Sequence, residues 1–177
     1  MTDQPDPTQP TARPGPLPAF YPPEQIETGM RELFAAIAAV ADGGDRVAVL
    51  AAANRVGGEL NAMMGIRIEE FGPDRVAASM PVVGNRQPFG LLHGGANGVL
   101  AEALGSFHAA LLAGPGRVAV GVELSCTHHR SMTAGSVTGV STPVHVGRTM
   151  MTFDIVISRE DGARVCTARL SCLVRGG

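Results

Sequence analysis

Glu102 is the only charged residue between Gly94 and Ala113. Its neighbours are alanine, glycine, leucine and serine. A carboxylate on such a helix is expected to be partly desolvated, because the segment has no solvated charged face. Desolvated carboxylates are suited to acid–base work or to nucleophilic attack. The plain alternative is a solvated helix residue. His93-Gly94-Gly95 opens the same segment. The first turn of a helix carries free N–H groups at the positive end of the dipole. Glycines there allow close approach to the backbone, and a developing oxyanion is a suitable guest. Read as structure alone, the run is a flexible turn, with His93 as an N-terminal cap or a buried hydrogen-bonding residue.

These two features lie too far apart to meet within one chain. Gly94 and Glu102 are eight residues apart, roughly 12 Å along a helix at 1.5 Å per residue. A glutamate side chain spans far less. Cooperation therefore requires two chains packed about a two-fold axis, so a homodimer with sites at its interface is expected.

Other chemistries find little support. His128 and His129 are adjacent on a predicted strand and point to opposite faces. With no HxxxH and no CxxC spacing, a metal site is not expected. Cys126 lies in a strand without an activating partner in sequence, which reads as an inert thiol rather than a nucleophile. No Gly-x-Ser-x-Gly elbow occurs. The 177 residues carry a formal net charge of -2 and show no basic block, so no nucleic acid partner is expected. The N-terminus does not resemble a secretory signal, and the apolar runs 33–41 and 47–53 are too short to span a bilayer. Three cysteines without paired spacing suggest reduced thiols in the cytoplasm.

The elements that must position these residues follow from period and punctuation. Residues 1–23 are proline-rich and read as a disordered tail. Helical spacing covers 24–41 behind Pro22-Pro23, then 45–56 and a turn at 59–63. Together 24–63 form a helical extension, expected to cover a sheet edge or a pocket. A second unit, 64–175, begins with a hairpin, 66–71 and 75–81, around Gly72-Pro73-Asp74. A loop over 82–92 leads to the long helix 94–113. Strands follow at 117–129, 135–145, 148–159 and 163–174, with Asp161-Gly162 as a turn. The class is α+β, one long helix packed on an antiparallel sheet. On a helical wheel Leu100, Ala103, Leu104, Phe107 and Leu111 form the apolar stripe. Gly98, Glu102, Gly105, Ser106 and Ala109 form a small-residue face with room for close approach of another backbone or of a ligand.

The order and spacing of several runs resemble the hot-dog fold acyl-CoA thioesterases of the PaaI-like branch, which includes the phenylacetyl-CoA and hydroxybenzoyl-CoA thioesterases. The runs are Gln87-Pro88-Phe89-Gly90, Leu92-His93-Gly94-Gly95, Ala101-Glu102, Ser106, Val120 to Leu124, Thr127 to Arg130 and Val144 to Thr149. The resemblance spans roughly residues 62–174. It implies an antiparallel sheet wrapped around the helix, two protomers sharing one continuous sheet, and dimers that often pair into tetramers. It implies hydrolysis of an acyl-CoA to free acid and coenzyme A, with coenzyme A part of the substrate and no separate cofactor. Glu102 would be general base or nucleophile. The Gly94 N–H would polarise the carbonyl, with Gly95 a close second. Gln87 would sit near the carbonyl or the attacking water, His93 would orient the thioester or support the loop, and Ser106 would hold water or the acyl group. His128 would orient substrate, and Arg148 and Arg130 would meet the coenzyme A phosphates. Two alternatives stand beside this reading: a hot-dog enoyl-CoA hydratase and a non-catalytic acyl-CoA-binding protein.

Overall fold

The computed structural model describes residues 23–41 and 46–176. The tail expected over 1–23 lies outside them, apart from Pro23. Three helices come first, α1 (Pro23–Ala41), α2 (Arg46–Arg55) and α3 (Gly58–Met64). Strands β1 (Arg67–Phe71) and β2 (Val76–Pro81) form a hairpin, closed by reciprocal backbone hydrogen bonds between Gly72 and Arg75. The long helix α4 (Gly94–Ala113) follows. Then come β3 (Val118–His128), β4 (Ser136–Val146), β5 (Met150–Ser158) and β6 (Arg164–Arg175). All six strands join one antiparallel sheet in the order β1-β2-β4-β5-β6-β3. The class is α+β, as the element pattern predicts.

Helix α4 buries Leu100, Ala101, Leu104, Gly105, His108 and Ala109 against the sheet. This corrects the helical-wheel reading. Gly105 and Ala109 do not flank open space; they face the sheet. A β-carbon on Gly105 would overlap the Leu170 side chain of β6. Ala103 and Phe107, expected in the core stripe, instead turn toward the first three helices. The reason is the composition of α4. Its sequence is apolar nearly all round, so hydrophobic periodicity alone does not fix its rotation. Small residues decide it, by letting large sheet side chains approach the helix axis.

The edge strands are treated differently. Beside β1, the Asn54 amide of α2 acts like a strand partner. Its Oδ1 accepts from the Ile68 N–H at 2.9 Å and its Nδ2 donates to the Ile68 carbonyl at 2.9 Å. At the other edge, β3 exposes Val118, Val120 and Val122. Among the described residues no other segment covers that edge. No described helix is long and apolar enough to cross a membrane.

His108 is a buried polar residue the sequence reading gave no role. Its Nε2 donates to the Pro73 carbonyl at 2.9 Å, so Nδ1 accepts from the Ser141 hydroxyl at 3.0 Å. Its ring stacks on Phe153, with centroids 4.8 Å apart. The pair of bonds ties α4 to the β1–β2 turn and suits a neutral imidazole. Burial pushes the His108 pKa below 6.5, against smaller raising effects from the Pro73 carbonyl, Asp74 and Ser141. Below that ordinary value the unfolded chain binds a proton that the folded chain refuses. Stability from this group is therefore complete above about pH 6.5 and falls as pH drops toward the folded value. Urea denaturation should show that acid slope in the native chain and a flatter one in His108→Gln.

Candidate active site

The approach to α4 is a loop held by its own backbone. The Gln87 N–H donates to the Leu91 carbonyl at 2.7 Å, and the Gln87 carbonyl accepts from Gly90 at 2.9 Å. The Leu92 N–H donates to Met132 at 2.7 Å, and the His93 N–H to Asn85 at 2.9 Å. The Asn85 amide is in turn anchored on the Met64 and Pro81 carbonyls. His93 thus arrives at the helix start with extended backbone (φ -66°, ψ 132°). It caps the helix, its Nδ1 accepting from the Gly95 N–H at 2.8 Å. The Ala96 N–H goes to the His93 carbonyl.

This bookkeeping corrects one expectation. Gly95 is not a second oxyanion donor, because its N–H is taken by the His93 ring. Among the described residues the Gly94 N–H has no acceptor. With Nδ1 accepting, the neutral His93 ring carries its proton on Nε2.

Opposite Gly94 lies the ring of His128, from the end of β3. A β-carbon on Gly94 would come within 3.0 Å of His128 Nε2. His128 Nδ1 is 3.4 Å from Nδ2 of Asn97. Asn97 is buried and its Oδ1 has no partner. No role was expected for it, although a lone amide in an apolar helix was visible in the sequence.

Two turns along α4, half-buried Glu102 accepts a hydrogen bond from Ser106 Oγ at 3.4 Å. Its carboxylate lies directly against Gly121 of β3, where a β-carbon would overlap it. The register of β3 on β6 shifts between Gly121 and Glu123. The extra residue, Val122, reverses the alternation of faces. As a result Gly121 faces α4 before the bulge, and Leu124, Cys126 and His128 face it afterward. Beneath Glu102, burial raises the Cys172 thiol to about 11, with the Glu102 charge adding to the effect.

Glu102 and Ser106 also line a cavity of about 270 Å³ between α4 and the helical extension. Met30, Val56, Leu60 and Phe107 are among its other walls. The extension therefore covers both the β1 edge and a pocket.

The arginines are separated. Arg148 is exposed at the β4–β5 turn, where its carbonyl receives the Arg117 guanidinium. Arg130 lies past the other end of β3 and donates to the Arg164 carbonyl at 2.8 Å. Roughly 30 Å or more of strand lies between them. One coenzyme cannot engage both arginines of one chain. The cysteines behave as thiols: burial raises Cys126, and burial with Cys126 nearby raises Cys166 to about 12.

This arrangement has known relatives. Residues 89–166 match the thioesterase superfamily. The proofreading thioesterase EntH of Cronobacter turicensis is 47% identical over 120 residues, covering 67% of this chain and 88% of that protein. The chain belongs to the thioesterase superfamily. It is a thioester hydrolase with a hot-dog fold. A thioesterase from Haemophilus influenzae superposes with a TM-score of 0.70 at 35% identity, covering 72% of this chain and 90% of the other. A thioesterase from Staphylococcus aureus, studied as a glutamine-to-alanine variant, gives a TM-score of 0.65 at 28% identity, covering 67% and 99%. A second structure of that protein carries alanine for a glutamate fifteen positions further along.

Gly121 is the residue of this thioesterase that the sequence reading quoted without assigning a role. The signal was present, since glycine inside a strand often marks close approach. Gly121→Ala should fold normally, because its β-carbon meets only the end of a flexible side chain. It should displace the Glu102 carboxylate and lower kcat for thioester hydrolysis about ten-fold or more. Thiol-release kinetics beside a melting curve would separate the two effects.

Proposed function

We propose that the protein hydrolyses acyl-CoA thioesters, with Glu102 as general base or nucleophile. The observation that carries this reading is the placement of Glu102, held by Ser106 between the bulged β3 strand and an apolar cavity. The residue spacing supports it. Gln87 and Glu102 stand fifteen positions apart, as do the glutamine and glutamate replaced in the Staphylococcus aureus relative.

In this reading the Gly94 N–H donates to the thioester carbonyl oxygen, and the helix dipole stabilises the charge that develops there. His93 Nε2–H and His128 lie beside that oxygen and orient the thioester. Gln87 sits near the carbonyl or the water, and Ser106 keeps the Glu102 carboxylate in place. Glu102 takes a proton from water as the oxygen attacks the carbonyl carbon. The tetrahedral intermediate collapses, the carbon–sulfur bond breaks, and the departing thiolate regains the proton. In the nucleophile variant the carboxylate attacks the carbonyl carbon, and the carbon–sulfur bond breaks as a mixed anhydride forms. Water then hydrolyses the anhydride to free acid and Glu102, the departed thiolate taking up the proton released. Arg148 remains the candidate for the coenzyme A phosphates.

The donor and the carboxylate come from different chains. Pairing two β3 edges antiparallel about a two-fold axis near Leu124 and Ser125 sets Gly121 of one copy opposite His128 of the other. Since Gly121 marks Glu102 and His128 marks Gly94, that pairing brings the two halves together. The exposed valines of β3 support such a homodimer, and dimers could pair further into tetramers.

Thiol release from a panel of acyl-CoAs tests the reading. Glu102→Gln should keep its fold and lose about 10²–10⁴-fold in turnover. Turnover equal to that of the native chain would contradict the assignment of Glu102.

A further inference from the structure

The helices α1–α3 precede the region matched by the superfamily, which begins at residue 89. They are nevertheless built into the fold. The Asn54 amide clamps α2 to the β1 edge through both polar groups of Ile68. Helix α1 is seated at close range on the C-terminal end of α2, since a β-carbon on Gly29 would come within 2.7 Å of Cγ1 of Val56, the residue after that helix. Leu33 of α1 is only 1% exposed, so this helix shares the core. Fixed this way, α1 borders, with α4, an open cavity of about 270 Å³. Met30 of α1 lines it together with Phe107 and Val99 of α4, Val56 and Leu60.

The chemistry of these walls is one-sided. Among the described residues, Glu102 is the one charged side chain lining the cavity, and Ser106 and Asn61 supply the only other polar side chains there. An acyl group with its own carboxylate would find no cation among the described lining residues and would meet the Glu102 charge. Burying an unpaired charge in such a space is costly. An apolar group gains by leaving water, about 25 cal/mol for each Å² buried.

We propose that this cavity is the acyl chamber of the enzyme, that it takes an uncharged, apolar acyl group, and that Met30 of the helical extension is a specificity-determining residue. The proposal rests on the thioesterase reading, since it assumes that the thioester carbon lies beside Glu102. It assigns the extension a function: α1 sets the depth of the chamber by the size of the side chain at position 30.

The test uses the full chain with acetyl-, octanoyl-, benzoyl- and succinyl-CoA, following thiol release. For the native enzyme, kcat/KM for octanoyl- or benzoyl-CoA should exceed that for succinyl-CoA at least ten-fold. Met30→Trp, which fills the chamber, should lower the octanoyl-to-acetyl ratio of kcat/KM by ten-fold or more. Met30→Gln, of similar size and suited to a half-buried helix position, should lower the same ratio by making the wall polar. Melting curves confirm that each variant is folded, and Met30→Gln carries the test where the tryptophan variant is not. Ratios unchanged in the folded variants, with the native enzyme active, would overturn the chamber and leave the thioesterase reading standing. A native preference for succinyl-CoA would also overturn it. No thiol release by the native chain from any of the four would instead strike the acyl-CoA hydrolase reading beneath it.

Discussion

An α-helix is a rigid ruler, and α4 carries both polar features of the site on one ruler. The Gly94 N–H opens the helix and the Glu102 carboxylate follows two turns later, roughly 12 Å away. No rotamer of Glu102 can close that gap. Much of the remaining structure can be understood as a response to this constraint. The bulge at Val122 in β3 turns Gly121 and His128 toward the same helix, one beside each feature. An unbulged strand would present one of them and hide the other. The same strand ends the sheet with apolar side chains in the open. A second copy of the chain is the partner that would answer both the exposed edge and the divided site.

Close approach, more than charge, shapes the site. Glycine at position 94 makes room for the His128 ring, and glycine at 121 makes room for the Glu102 carboxylate. Around them the polar bookkeeping is nearly complete. His93 spends its Nδ1 on the helix cap, and His108 spends both ring nitrogens tying α4 to the sheet and the first hairpin. Among the described residues of the site, the Gly94 N–H and the buried Asn97 Oδ1 have no partner, and Glu102 keeps Oε2 free while Oε1 accepts from Ser106. A site that must bind and release a thioester needs groups left over from folding, and these are the ones left.

Much of this was legible in the sequence because it is local. Alternation and turn chemistry gave the strands and hairpins, and one uninterrupted apolar run gave α4 from Gly94 to Ala113. Glu102 stood out because nothing around it was charged. The rest depended on how distant pieces meet. The rotation of α4 was misread because its apolar residues wrap the whole helix, and only the fit of Leu170 against Gly105 decides the face. Gly95 was credited with a free donor because spacing does not reveal that the His93 ring folds back onto it. Arg130 and Arg148 were both expected to meet the coenzyme A phosphates, and only the sheet shows that they lie at opposite ends of β3 in one chain. The cavity was invisible because Met30 and Phe107 lie far apart in sequence and share no pattern.

The central claim is that the donor at Gly94 and the carboxylate at Glu102 act together only across two chains. Subunit complementation measures this directly. Gly94→Pro removes the backbone donor, at the first helical position where proline is accepted, and also crowds the His128 ring in the same half of the site. Glu102→Ala removes only the carboxylate. Each variant alone should be nearly inactive in thiol release. Mixing them under conditions that allow subunit exchange should restore hydrolysis, because each mixed dimer holds one site with both groups intact. A mixture no more active than its separate components, with exchange shown by mass spectrometry, would contradict the account.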